Sequence, residues 1–249
     1  MDRQPITLRG LEPVVATLTL QWPVSYWHVP AANTCQIVCL PDEQRHEVWL
    51  LSSAAKNPNE WLPELVHELC HAALAERLDP TFATAYFGRG DEYGNLAGEA
   101  LVKFTRQVQT FYLAWAHIDV WVDELRHHHW PELSQVEAER FAEAVSFVAA
   151  ADQQTMLHQP LQRVALAVHL AEERRFGLPA SGLERLANQS HWSIEALAKL
   201  YQRLPVLPID RQEALAVLEQ SVLQVVDLLK LGIKPELIDA GDRAAWQFK

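Results

Sequence analysis

The stretch Val66-His67-Glu68-Leu69-Cys70-His71-Ala72-Ala73-Leu74-Ala75-Glu76 decides how this chain reads. Its two histidines stand four residues apart. On an α-helix that spacing puts both imidazoles on one face, about one turn apart, so both reach a single metal ion. Glu68 follows His67 directly and points beside the ion rather than at it, which suits a base acting on metal-bound water. Zinc lowers the pKa of such water to about 7 and polarises a substrate carbonyl. The bland alternative is an accidental pair of surface histidines. The apolar neighbours Val66 and Leu69 weigh against it, because they predict a helix packed inside a domain.

Upstream of this helix the chain is β-rich. Thr34 to Leu40 and Glu47 to Ser52 carry β-formers, and Pro41-Asp42-Glu43-Gln44-Arg45 between them reads as a turn, so a hairpin is expected. Thr17 to Leu20 is a further short strand candidate. Asn57-Pro58-Asn59 offers N-cap chemistry, Pro63 suits a first helical turn, and Asp79-Pro80 ends the helix.

Downstream, Thr81 to Asn95 is rich in glycine and polar residues and reads as a loop. A long helix is expected over about 96–126, ended by Pro131, and another over about 134–150 with an acidic outer face at Glu137, Glu139 and Glu143. The remainder reads as helical. Pro160 opens one helix, which ends near Gly177-Leu178-Pro179. Ser181 and Ser193 are cap candidates for the next two. The last helix, about Asp210 to Leu231, has an apolar stripe of Leu215, Leu218, Val222, Val226 and Leu229, with Gly232 as its C-cap. These elements predict an α+β fold, mostly α: a β-hairpin or small sheet on a helical core. Residues 1–155 form the metal-binding domain in this reading, and 156–249 a helical C-terminal subdomain.

Composition narrows the function. The 249 residues are 49% hydrophobic and 21% charged, enough for a real core. The formal net charge is -11, which opposes nonspecific nucleic-acid binding and docking on anionic lipid. No apolar run reaches the length of a membrane span, and the start resembles no signal peptide, so a cytoplasmic protein is expected. Cys35, Cys39 and Cys70 read as reduced, buried thiols. On a strand, Cys35 and Cys39 would lie about 13 Å apart, too far for a disulfide.

Over about Trp61 to Glu76 the chain resembles the zincin superfamily of metallopeptidases, and more loosely its small, mostly helical, minigluzincin-like members. The resemblance implies zinc held by His67 and His71, with Glu68 as general base. It also implies a third ligand from a downstream helix and an edge strand that aligns the substrate backbone. The extended pattern HExxHxxGxxH is absent, since Leu74 and Arg77 occupy the places of its glycine and third histidine. Downstream of His71 the Asn-Glu dipeptide of thermolysin-like enzymes is absent too.

Two acids remain as third-ligand candidates. Glu99 lies 28 residues after His71, where a glutamate from the next helix fits; a first-turn acid favoured by the helix dipole is its bland reading. Asp119 lies 48 residues after His71, in the apolar and aromatic stretch Phe111 to Leu125. A carboxylate there needs a partner, and a metal ion or a metal-bound histidine is a suitable one. A salt bridge or exposed stripe with Asp123 is the alternative. The two candidates are 20 residues apart on one helix, about 30 Å, so one ion cannot take both unless that helix breaks. Asp119 is preferred. Asp91, in Gly88-Arg89-Gly90-Asp91-Glu92-Tyr93-Gly94, only faintly resembles the segment of aspartate-type zincins.

His127, His128 and His129 read as cations at a helix end, His117 as a core residue, and Trp115, Trp121 and Trp130 as packing. His158 and His169 carry no recognisable spacing. Two functions compete. One is a zinc metallopeptidase acting on a peptide or protein substrate. The other is a non-catalytic metal-binding regulatory or interaction protein, with the C-terminal helices meeting the partner.

Overall fold

The computed structural model describes residues 3–30, 32, 34–83, 98–151, 160–180, 182–189, 193–241 and 243–248. The chain divides into two units. One comprises residues 1–102 with 239–245, the other 103–238 with 246–249. The fold is α+β and mostly α, as the sequence predicts.

In the first unit the order is β1 (Gln4–Ile6), α1 (Glu12–Leu18), β2 (Val24–His28), β3 (Gln36–Leu40), β4 (Arg45–Leu50), α2 (Ser52–Lys56) and α3 (Leu62–Arg77). The strands form one sheet in the order β1-β2-β4-β3. β3 and β4 are the expected hairpin, antiparallel with Ile37 opposite Val48, joined by a single 3₁₀ turn at Pro41–Glu43. β2 pairs parallel to β4, and β1 antiparallel to β2. β3 is therefore an edge strand.

The expected strand at Thr17 to Leu20 is instead the end of α1. Its local β-formers lose to a helix opened by Glu12-Pro13 and anchored by Leu18, which is fully buried. The sequence reading also missed β2, although Val24-Ser25-Tyr26-Trp27 is dense in β-formers.

α3 is buried on nearly every side. Leu65, Val66, Leu69, Cys70 and Ala73 have at most 1% of their surface exposed, and Ile37, Val38, Val48 and Leu50 supply buried apolar surface from the sheet. Each fully buried leucine there contributes about 1.5–3 kcal/mol. α3 starts at Leu62 with Pro63 in its first turn, as expected, but Trp61 precedes it without a side-chain cap. Asn57-Pro58 opens a separate 3₁₀ turn instead.

On the same face of β4 as Val48 and Leu50, His46 stacks on Trp22 at 5.3 Å, and its Nε2 bonds Glu76 Oε1 of α3 at 2.9 Å. Burial holds the His46 pKa below its ordinary value, against the pull of the Glu76 carboxylate. Below about pH 6.5 the unfolded chain takes up a proton at this histidine that the folded chain resists. Stability conferred by neutral His46 is present above that pH and lost as pH falls through the folded pKa. We expect the urea midpoint of the wild type to fall between pH 7.5 and 5.5 more than that of His46→Gln. Equal slopes would dismiss His46 as the source.

The second unit is helical. α4 (Gly98–His129) enters it at Lys103, followed by α5 (Pro131–Ala151), α6 (Pro160–Phe176), α7 (Leu183–Gln189), α8 (Ile194–Gln202) and α9 (Arg211–Leu229). Pro131 opens α5 rather than merely stopping α4. Within α5, Glu137 is not on an outer face: it pairs with Arg126, which is 3% exposed. Glu139 and Glu143 are exposed as expected.

The stripe of α9 is buried, so it packs inside its own unit. Asp210 caps α9 by accepting from the Glu213 N–H at 2.8 Å. The left-handed residue closing α9 is Lys230 rather than Gly232. Ser193 precedes α8 without capping it, while Ser181 and His158 lie outside the described residues.

Trp121 is fully buried, and its Nε1 donates to the Pro205 carbonyl. His117 is also fully buried, with Nδ1 donating to the Leu113 carbonyl at 2.7 Å. The three cysteines are free; Cys35 and Cys70 are buried and Cys39 half-buried.

The C-terminal region was expected to be helical but carries two strands, β5 (Pro235–Asp239) and β6 (Ala244–Phe248), paired as a two-stranded sheet. The turn signal was Ala240-Gly241-Asp242, and Gly241 does adopt a positive φ of 96°. Among the described residues no helix is long and apolar enough to cross a membrane.

Candidate metal centre

His67 and His71 project from one face of α3. Their Nε2 atoms are 3.2 Å apart, with the rings edge to face. Two nitrogens held about 2.0–2.1 Å from one tetrahedral ion lie about 3.3 Å from each other. The pair thus already has the separation that a shared ion requires.

The tautomer of His71 follows from its other nitrogen. Nδ1 lies 2.8 Å from the Phe82 carbonyl oxygen. A carbonyl only accepts, so Nδ1 carries the proton and Nε2 presents its lone pair toward His67. His71 is fully buried, and this bond fixes its ring. A backbone carbonyl in this role is the usual outer partner of a metal-binding imidazole.

The Phe82 carbonyl is itself built by sequence. Pro80–Phe82 is a 3₁₀ turn, and the Asp79 side chain caps it by accepting from the Thr81 N–H at 2.8 Å. Both Asp79 oxygens also lie 3.1 Å from the Ala244 N–H, and Asp79 is 1% exposed. The sequence reading treated Asp79-Pro80 only as a helix stop. Its cap chemistry was the signal for more. Asp79→Ala would free the turn that holds the carbonyl. We expect metal affinity to drop about tenfold, measured by competition with a chromophoric chelator. Unchanged affinity would show that Phe82 is held by other contacts.

Glu68 is 9% exposed, and its Oε2 accepts the Ile37 N–H at 2.6 Å. Ile37 lies on β3, so the edge strand itself orients this carboxylate. Nothing in the sequence announces that contact, since every residue except proline carries a backbone N–H.

His67 and His71 belong to the first unit, and Asp119 to the helical one. Two imidazoles and one carboxylate are a donor set suited to zinc with one position left open. Asp119 lies on α4, and its carboxylate also adds to the burial that pushes the Tyr201 hydroxyl pKa upward. α4 is one helix from Gly98 to His129, so the backbone of Glu99 is about 30 Å from that of Asp119. The side chain of Glu99, like the whole of Asp91, lies outside the described residues. Asp123 is accounted for otherwise: Arg126 binds it at 2.9 Å.

No family model, no curated protein and no solved structure matches this chain.

Proposed function

We propose that this protein is a zinc-dependent metallopeptidase that hydrolyses peptide bonds with metal-activated water. The observation carrying this reading is the convergence of His67 and His71 Nε2 at 3.2 Å, with the His71 tautomer set by Phe82. His67, His71 and Asp119 would hold the ion, which supplies Lewis acidity and an activated water. Glu68 would take the proton from that water and pass it to the leaving amine. The Ile37 N–H fixes one Glu68 oxygen, so the carboxylate is oriented before substrate arrives. Among the described residues β3 pairs only with β4, so an extended peptide could lie along its other side, beside the Ile37 N–H that Glu68 engages. A cytoplasmic setting accords with the reduced thiols and the acidic charge.

A second reading is favoured by that same Ile37 contact. With one oxygen engaged, Glu68 could serve to fasten α3 to the sheet in a non-catalytic metal-binding protein. The test begins with metal analysis of full-length protein purified without added zinc. Near-stoichiometric zinc, lost in His71→Ala, is expected. Absence of bound metal after zinc reconstitution would end both readings. Hydrolysis of an unstructured protein substrate, abolished by a chelator and restored by zinc, selects the first reading. Stoichiometric zinc with no hydrolysis across a broad peptide library selects the second.

A further inference from the structure

A second constellation lies wholly within the helical unit. Asp123 and Arg126 of α4, Ser134 and Glu137 of α5, and His169 and Glu172 of α6 line a cavity of about 20 Å³. Glu173 borders it as well, and Phe141 and Phe176 provide apolar wall. About one water-sized group fits such a volume.

The charges do not balance. Four carboxyl groups, Asp123, Glu137, Glu172 and Glu173, face one guanidinium, Arg126. Arg126 is already bound to Asp123 and Glu137. Burial holds the His169 pKa below its ordinary value, which keeps that ring neutral. Glu172 shows the deficit most directly. Burial first, and then the charge and hydrogen bond of the neighbouring Asp123, push its pKa well above the carboxylate range.

Two polar atoms in the wall lack a protein partner. Ser134 Oγ and Glu172 Oε1 are both buried without a hydrogen bond, in residues 2% and 5% exposed. His169 Nδ1 lies 3.3 Å from the other Glu172 oxygen, Oε2. Buried polar atoms normally find a partner, so two orphans on one small cavity indicate a missing group that bonds to both.

We propose that this cavity binds a primary ammonium group. Such a head is about the size of one water and carries three N–H donors and a positive charge. Ser134 Oγ, Glu172 Oε1 and Asp123 would accept its hydrogen bonds, and its alkyl chain would leave along Phe141 and Phe176. Its positive charge would offset the excess of carboxyl groups lining the cavity. A metal ion suits the cavity less well. Among the described residues, this cluster does not meet the ligand-atom spacing for an ion.

The test titrates full-length protein with methylammonium chloride in a calorimeter, at constant ionic strength held with tetramethylammonium chloride. Saturable binding is expected, weakened at least tenfold in both Glu172→Gln and Ser134→Val. Both variants keep the local volume, and circular dichroism checks that they fold. Potassium chloride in place of methylammonium should give no saturable heat. Lack of methylammonium binding, binding equal to wild type in both folded variants, or an equal response to potassium would overturn the proposal.

Discussion

If the proposed peptidase reading holds, replacing Glu68 by glutamine will leave the zinc content at the wild-type level and lower kcat for peptide hydrolysis by about 10²–10⁴-fold, the range expected for loss of a general base. The isosteric amide still offers an oxygen to the Ile37 N–H, so α3 and β3 should stay fastened. The variant therefore separates the two jobs that Glu68 can do. Under the catalytic reading, thermal midpoint and metal affinity are unchanged while turnover is lost. Under the structural reading, Glu68→Ala lowers stability and no variant alters a rate. A Glu68→Gln protein that hydrolyses peptide at the wild-type rate would remove Glu68 from the mechanism.

Arg126→Met will destabilise the helical unit by about 3–5 kcal/mol, as expected when one member of a buried charge network is withdrawn. Arg126 is 3% exposed and binds Asp123 at 2.9 Å and Glu137 more closely still. Methionine fills much of the same volume, so the loss comes from carboxylates left without a counter-charge. The partly exposed Arg174, paired with Glu195 at 2.9 Å and Glu184 at 3.2 Å, makes the contrast. Arg174→Met should cost no more than about 1 kcal/mol. Urea unfolding of both variants decides the matter. Arg126→Lys, which keeps the charge but not the forked geometry, should recover part of the loss. Similar midpoints for Arg126→Met and Arg174→Met would show that Arg126 does not balance the cluster.

Legibility in the sequence followed the range of the interactions. The His67 and His71 pair was readable because a helix turns a spacing of four into proximity. The β3–β4 hairpin was readable because its turn residues sit between two runs of β-formers. Asp119 was preferred over Glu99 because a carboxylate in the apolar and aromatic stretch Phe111 to Leu125 demands a partner. For Asp123 on the same helix the partner is Arg126, the salt bridge that the sequence offered as the alternative. The strand at Thr17 to Leu20 failed because propensity was weighed without the Pro13 start and the burial of Leu18. The Ile37 contact to Glu68 and the Phe82 contact to His71 were invisible, since both use backbone atoms common to nearly every residue. The strands near the C-terminus were missed because a two-strand ribbon shows little periodicity beside long helices.

The bond from Asp79 to Ala244 joins residues 165 positions apart. Ala244 lies in the segment 239–245, which returns to the first unit after the helical unit has been traversed. The unit bearing both histidines is therefore discontinuous along the chain. During synthesis, the turn that aims His71 lacks this anchor until residue 244 has emerged. A chain shortened to residue 238 would retain every proposed ligand, yet leave a buried aspartate without one of its backbone donors. The turn that aims His71 is thus completed by a segment far along the chain from the helix that carries the motif.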